Sequence, residues 1–411
     1  MQEETFDVVI AGGGMVGASL AVALSSLPLK IALVEAFPAA LTQQAGYDDR
    51  AIALSYGSRL ILQGMGVWPM LVERVNPIDR IHISDRGHFG ATRLSAKQQK
   101  VPALGYLIEA QVYTRILNDF LSNRSVKVIQ PARMDSINFS SESVVATISS
   151  DNRSHAVRSK LMVACDGADS AVRKIAGVGS STHEYQQVAI IANVTTELAH
   201  DNQAFERFTP EGPIALLPMS DQRCSLVWTT SADNYQSILD LNDDDFLSKL
   251  GDAFGYRLGR FVKVGRRGSF PLKLTTSDEL TGPRLAIIGN AAHSLHPVAG
   301  QGLNLALRDI ADLAEQVVKA LGDEQDIGAV AVLAEYALAR DKDTARTIQY
   351  TDSLVKIFSN EYFLLGHARA ASLTLVDRLL PLRTQLARQS MGLKSRSSRL
   401  SRGLPLLKEP V

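Results

Sequence analysis

Between the β-branched run Phe6 to Ala11 (FDVVIA) and an Ala/Leu/Val-rich stretch reaching about Leu27 stand Gly12, Gly13 and Gly14, with Gly17 one turn further on. A second apolar run, Lys30 to Glu35 (KIALVE), follows. The order is strand, glycine turn, helix, strand, a βαβ unit of about 30 residues. Gly12, Gly14 and Gly17 have the GxGxxG spacing, and each answers a different steric demand. The first makes the tight turn, the second lets backbone approach a pyrophosphate, and the third lets helix and strand pack closely. Met15 and Val16 open the helix, whose free N–H groups and positive dipole end suit phosphates. Glu35 ends the second strand, where a carboxylate accepts hydrogen bonds from ribose hydroxyls and disfavours a 2′-phosphate. The expected ligand is NAD or the AMP half of FAD; this fingerprint alone does not choose between them. A tight turn with no ligand is the plain alternative, weakened by the strand context and by Glu35.

Two further junctions have the same form. Lys160 to Cys165 (KLMVAC) meets Asp166-Gly167 and a helical stretch, and Arg284 to Gly289 (RLAIIG) meets Asn290 and a glycine-rich turn entering another helix. One nucleotide-binding layer is therefore expected to assemble from distant segments: 1–72, 101–183 and 281–330. Alternating runs such as Val188 to Val194, Ile214 to Leu217 and Cys224 to Trp228 predict an inserted β-rich substrate domain from 73–100 and 184–280. Residues 331–392 read as helices, and 393–411 as a basic, mobile tail. At 411 residues the chain is long enough for such cores without disulfide staples. Cys165 and Cys224 show neither CxxC nor zinc spacing, so no metal site is expected, and a reducing, cytoplasmic compartment is. Lys plus Arg (43) balances Asp plus Glu (43), so no global field draws the chain to nucleic acid. No run of 18 apolar residues suggests a membrane span.

The stretches Ala164-Cys165-Asp166-Gly167-Ala168-Asp169-Ser170 and Gly289-Asn290-Ala291-Ala292-His293-Ser294-Leu295-His296-Pro297-Val298-Ala299-Gly300-Gln301-Gly302-Leu303-Asn304, taken in order after the glycine fingerprint, resemble the signatures of class A flavoprotein monooxygenases. This is the para-hydroxybenzoate hydroxylase family. The resemblance implies a Rossmann-like α/β FAD-binding domain with an inserted β-sheet domain and a helical C-terminal region. It implies FAD as cofactor, NADH or NADPH as electron donor, and oxygen transfer from O2 through a flavin hydroperoxide. Cofactor contacts are expected at Gly12, Gly14, Met15, Val16, Gly17, Glu35, Asp166, Gly167 and Asn290, and along Gly300, Gln301, Gly302, Leu303 and Asn304. Asn304 is placed at the pyrimidine rim of the flavin ring and Asn290 on the ribityl chain. Where the family usually has Gly-Asp, this chain has Gly289-Asn290; Asn keeps an acceptor oxygen but carries no charge. The plain alternative for Asp166-Gly167 is a turn with Asp169 or Ser170 as helix cap. Cys165 reads as a small buried residue. His296 and Pro297 are expected to border the flavin's reaction face. His293 reads as structural rather than as a metal ligand.

Asp49-Arg50-Ala51-Ile52-Ala53-Leu54-Ser55, together with segments such as Ala204 to Phe208 and Gly212 to Pro218, is similar to the ubiquinone-biosynthesis branch of that family. Arg50 would then approach the FAD pyrophosphate or ribose. Gln111 and Arg115 remain alternatives for a further flavin contact. The branch implies a polyprenylated phenol substrate, hydroxylated para to its hydroxyl as in a 2-polyprenyl-6-methoxyphenol, with sister enzymes acting at other ring positions. A nicotinamide dehydrogenase leaves the HPVAGQGLN turn without a role, and a non-catalytic prenyl-cargo protein leaves the flavin-ring turn unexplained. Such a substrate partitions into bilayers. Arg369, Arg378, Arg383, Arg388, Lys394, Arg396, Arg399, Arg402 and Lys408, with Leu379, Leu380, Leu382 and Leu386, suggest contact with the inner face of the cytoplasmic membrane or with other ubiquinone-biosynthesis proteins. The alternative is that this region packs on the FAD domain.

Overall fold

The computed structural model describes residues 3–38, 50–150, 153–296, 300–358, 363–394 and 398–407, with the side chains of 355–368 left aside. Asp49 and Pro297 lie outside the described residues.

A six-stranded sheet forms the centre. Its order is Thr281–Gly282, Leu285–Ile287, Leu161–Ala164, Val8–Ala11, Ile31–Val34 and Val126–Ile129, parallel except for the first, antiparallel edge strand. The middle strands are apolar throughout and buried on both faces, as a parallel sheet covered on both sides requires. In register, Ala11 stands beside Val34 and Ala164, and Ala164 beside Ile287. The strand ends that lead into all three predicted junctions thus come together at one edge of the sheet.

Helix Met15–Leu24 is buried from Gly17 to Leu24 because its residues are small or apolar on every face. It packs against Gln301–Gly322 on one side and Ala110–Ser122 on the other. Tyr113 is fully buried there, its hydroxyl 2.8 Å from Ser19 Oγ, which satisfies a polar tip inside an apolar core.

A nine-stranded sheet is built from Arg80–Asp85, Ala91–Ser95, Ser180–Thr196, Gln203–Thr209, Gly212–Pro218, Arg223–Ser231, Phe261–Val264, Gly268–Ser277 and His293–Ser294. Helix Asp243–Phe254 covers one face, with Phe246, Leu250 and Phe254 buried against Ile190, Phe205, Leu226 and Trp228. The last of these strands, His293–Ser294, belongs to the segment that follows the third junction, so this sheet and the nucleotide-binding layer meet there.

Helices Val330–Phe358, Phe363–Arg378 and Leu380–Ser390 complete the chain. The expected mobile tail differs from what is seen: in 398–407, Leu400 and Leu406 are buried in the main core. Arg399 N–H donates to Glu315, and the preceding turn accepts from Gly57 N–H at Met391 O (2.8 Å). Two leucines at about 1.5–3 kcal/mol each outweigh the polar composition on which the expectation rested.

Candidate functional site

At the first junction the glycines divide into two kinds. A Cβ on Gly12 would lie 2.6 Å from Cys165 O, and one on Gly17 would lie 1.8 Å from Gly12 O, so both are demanded by backbone packing; Gly12 also has φ +98°. A Cβ on Gly14 would meet nothing within 4 Å. Gly14 is the N-cap of Met15–Leu24 and supplies no side-chain cap, leaving the first-turn N–H groups facing open space. Glu35 is held at the same place: its Oε2 accepts from Gly13 N (2.5 Å) and its Oε1 from Phe37 N (2.9 Å). A carboxylate has lone pairs left for a ribose after two such bonds.

The third junction repeats this pattern. Gly289 (φ +62°) packs on Val16, where a Cβ would lie 2.9 Å from Val16 Cγ1, and next to it Asn290 is exposed. Gly300 (φ +59°) caps Gln301–Gly322 without a side-chain bond, and a Cβ on Gly302 would meet nothing within 4 Å. Gln301 is buried and Leu303 half-buried. Each of the two helices thus begins beside an open glycine and without a side-chain cap, which suits its N-terminus to an anionic group.

Asn304, expected at the flavin rim, spends its side chain on protein partners. Its Oδ1 accepts from Ser55 N (2.7 Å) and Ser58 Oγ (2.7 Å), and its Nδ2 donates to Ala53 O (2.9 Å) and Gly300 O (2.5 Å). All four hydrogen-bonding positions of the amide are taken by protein, so its side chain fastens strand Ala51–Ser55 to the glycine turn. Arg50, just before that strand, lies over the Phe270 ring at 5.6 Å, at the boundary with the nine-stranded sheet. At the second junction, Gly167 has φ +93°, and Asp166 accepts from Ser170 Oγ (2.5 Å) and Val172 N (3.1 Å). Ser170 caps Ala171–Ile175 by accepting from Arg173 N (3.0 Å). This is the turn-and-cap arrangement. Burial pushes the Cys165 thiol well up, which keeps it protonated and inert.

His296 is buried, its ring edge-on to Tyr185 at 5.2 Å. Burial draws its pKa down to about 4, so the imidazole is neutral at physiological pH. Burial likewise raises the Tyr185 phenol to about 12, with help from Asp352, to which its hydroxyl donates at 3.3 Å.

Behind the turn lies a charged cluster that the sequence reading did not find. His293 Nε2 is 2.9 Å from Asp309 Oδ2, and the other oxygen of Asp309 accepts from Arg340 Nε (2.7 Å). Gly289 N–H also donates to Asp309 (3.2 Å). Arg340, wholly buried, reaches Asp312 (3.0 Å) and Asp343 (2.8 Å), and Asp343 pairs with Arg308 (2.7 Å). Burial alone would raise the Asp309 carboxyl, but His293 and Arg340 pull it down to about 2. The signal was present as Arg308, Asp309 and Asp312 within the otherwise apolar stretch Leu305 to Ala314, but their partners Arg340 and Asp343 are some thirty residues away. No group of three or more His, Cys, Asp and Glu side chains among the described residues could hold a metal.

The chain matches the family model described as FAD binding domain over residues 5–349. It is 36% identical over 408 residues to ubiquinone hydroxylase UbiL of Rhodospirillum rubrum, covering 98% of this chain and 94% of that one. It is 30% identical to 3-demethoxyubiquinol 3-hydroxylase of Escherichia coli, covering 96% of this chain and all of that one. Among solved structures, p-nitrophenol 4-monooxygenase PnpA of Pseudomonas putida has the same fold, with a TM-score of 0.79 and 17% identity over 96% of this chain and 99% of that one.

Proposed function

The chain belongs to the FAD binding domain family, as a FAD-dependent monooxygenase among the ubiquinone-biosynthesis hydroxylases, and on that premise we propose that it hydroxylates 2-polyprenyl-6-methoxyphenol para to its hydroxyl, giving the 2-polyprenyl-6-methoxy-1,4-benzoquinol. The observation that carries the cofactor side of this reading is the pair of helix N-termini that begin at Gly14 and Gly300 without a side-chain cap, with open space where a Cβ would stand on Gly14 and on Gly302. Residues and group fit: backbone amides and helix ends take up phosphate and ring charge without calling for lysines or arginines.

Bound FAD, reduced by NADH or NADPH, supplies the oxygen transfer from O2 that side chains alone cannot perform. The chain's own part is binding, orientation and exclusion of water. Gly14 and the amides of Met15 and Val16 take the pyrophosphate, with Gly12 and Gly17 holding the turn that presents them. Glu35, already tied to Gly13, accepts from the ribose, and Arg50 reaches the same side. Asn290 meets the ribityl chain, and Asp166 with Gly167 shapes the turn beside it. The N-terminus of Gln301–Gly322, at Gly300 to Leu303, offers its positive end to negative charge that develops on the ring. Asn304 acts through Gly300, as a positioning residue. His296, kept neutral by burial and edge-on to Tyr185, is assigned to the substrate side, where an uncharged buried ring favours coupled turnover. Pro297, outside the described residues, keeps its place beside the reaction face on the family resemblance alone. Residues 1–72, 101–183 and 281–330 form the cofactor domain in this reading, and 73–100 with 184–280 the substrate domain.

A second reading has an observation in its favour: the relatives at 36% and 30% identity include a hydroxylase named for demethoxyubiquinol, so another ring position of the same substrate class is the alternative. Deleting the gene and identifying the accumulating prenylphenol decides between them. Accumulation of 2-polyprenyl-6-methoxyphenol, converted by the purified yellow enzyme, supports the para assignment; accumulation of a later intermediate assigns the other position.

A further inference from the structure

On the outer face of the nine-stranded sheet, away from the flavin turn, lies a cavity of about 530 Å³. Strand pairing puts His82 opposite Arg93 and beside Phe205, and Ser84 beside Arg207, so alternate residues of three strands point the same way. Arg257 and Arg378 close the sides, and Phe89 stands at the rim.

The acids nearby are already engaged. Asp377 accepts from Arg93 N (2.7 Å) and Nη1 (3.1 Å), and Asp85 pairs with Arg369 (3.1 Å) and His88 (3.3 Å). Arg207 and Arg257 have no carboxylate within ion-pair distance among the described residues. Burial, then the neighbouring Arg86 and Arg257 cations, draws the Arg207 guanidinium below its usual range, with Asp85 opposing. Two buried nitrogens, His82 Nε2 and Arg207 Nε, have no hydrogen-bond partner among the described residues, and His82 is only 4% exposed. Unpaired buried donors and crowded like charges both cost free energy, which an oxyanion bound between them would offset.

The rim is apolar in the same neighbourhood. Phe89 is 99% exposed at the tip of the turn between Arg80–Asp85 and Ala91–Ser95. Leu375 lies one residue beyond the cavity-lining Thr374, and Leu379 and Leu380 follow Arg378; all three are exposed. An exposed phenyl and leucines around a cationic cavity complement a surface that is anionic outside and apolar just beneath.

We propose that this cavity binds a phosphate-class oxyanion presented by an anionic phospholipid headgroup, with Phe89 and Leu375, Leu379 and Leu380 entering the interface around it. The site is independent of the flavin reading, since none of its residues touches the glycine turns. It gives an enzyme without a membrane-spanning helix among its described residues a way to rest on a bilayer.

The test is flotation of the flavin-loaded enzyme with vesicles of phosphatidylcholine alone or mixed with phosphatidylglycerol. Wild type should partition onto the phosphatidylglycerol vesicles and not onto the neutral ones. R207Q/R257Q should lose about tenfold or more of that partitioning, the scale of one or two charge-assisted hydrogen bonds, and F89S should lose severalfold. Inorganic phosphate at constant ionic strength should displace wild type. Retained flavin absorbance shows that each variant is folded. Equal partitioning of wild type and R207Q/R257Q overturns the proposal. Displaceable binding of inorganic phosphate without vesicle association overturns the lipid source and leaves a soluble phosphate compound as the ligand.

Discussion

Replacing Arg340 by Met keeps most of the side-chain volume but removes the cation on which two buried carboxylates and one half-buried carboxylate converge. Arg340 donates to Asp309 at 2.7 Å and to Asp312 at 3.0 Å, all three buried, and lies 2.8 Å from the half-buried Asp343. Removing one partner of a buried ion pair costs about 3–5 kcal/mol, because the remaining charge is left without compensation. With an unfolding entropy of about 2.1 cal/mol/K per residue over 411 residues, that loss lowers Tm by roughly 4–6 °C if the chain unfolds as one unit. The pH dependence has a definite sign. In the wild type the Asp309 carboxyl sits at about 2, below its ordinary 3.8, so its contribution is fully present above about pH 4 and lost as pH falls toward 2. Asp312, whose carboxyl burial already holds above its ordinary range even beside Arg340, is driven further up without it, while Asp309 keeps His293 and Asp343 keeps Arg308. The Asp312 contribution then survives only in acid and is lost as pH rises. The difference in Tm between wild type and Arg340→Met should therefore be largest near pH 8 and shrink toward pH 5, as read by calorimetry of the flavin-loaded protein. Because Asp309 also holds Gly289 N–H, flavin loss on desalting should accompany the destabilisation. A Tm within about a degree of wild type at pH 8 would refute the argument that this cluster is electrostatically coupled.

The two open and closed glycines predict opposite phenotypes. Gly17→Ala, with a Cβ 1.8 Å from Gly12 O, should give insoluble or flavin-free protein, whereas Gly14→Ala should fold, melt within a few degrees of wild type, and bind FAD at least about tenfold more weakly by fluorescence titration. Asn290→Ala should raise the FAD dissociation constant by about five- to tenfold, the loss of one hydrogen bond, with the fold intact by circular dichroism; unchanged affinity would count against the ribityl assignment. His296→Ala should release more peroxide per NAD(P)H consumed, and a variant with normal coupled turnover would remove His296 from the reaction face. Stability should also fall as pH drops from about 6.5 toward 4, where His82 and His296, both held near 4 by burial, must take up protons on unfolding; His296→Gln should flatten part of that slope in urea titrations at several pH values.

Local sequence made the three glycine junctions legible. A strand that ends in glycine, a helix that begins without a side-chain cap and an acidic residue closing the next strand are all short-range facts, and their steric reasons lie within a few residues of each other. The three junctions could be recognised singly for that reason. What each residue does inside the junction was less legible. Asn304 has the same polar amide whether it meets a ligand or protein; only the arrival of Ala53 and Ser55 from a strand, and Ser58 from the helix after it, some 250 residues away, takes three of its four hydrogen-bonding positions, Gly300 O the fourth, and gives it a structural task. Asp166 likewise spends its carboxylate on the helix it precedes.

The sequence by itself determined the nucleotide-binding βαβ unit and the order of the three turns, because tight backbone approach and helix-end electrostatics are imposed locally by glycine and by chain direction; the class of chemistry came from the resemblance of those turns to a known family. Tertiary structure alone decided where the charges went. A composition with equal numbers of acids and bases hides a buried cluster around Arg340, a tail whose Leu400 and Leu406 are drawn into the core, and a cationic cavity around His82 and Arg207. Ion pairing and burial depend on distances between residues far apart in the chain, and those distances exist only once the sheets have closed.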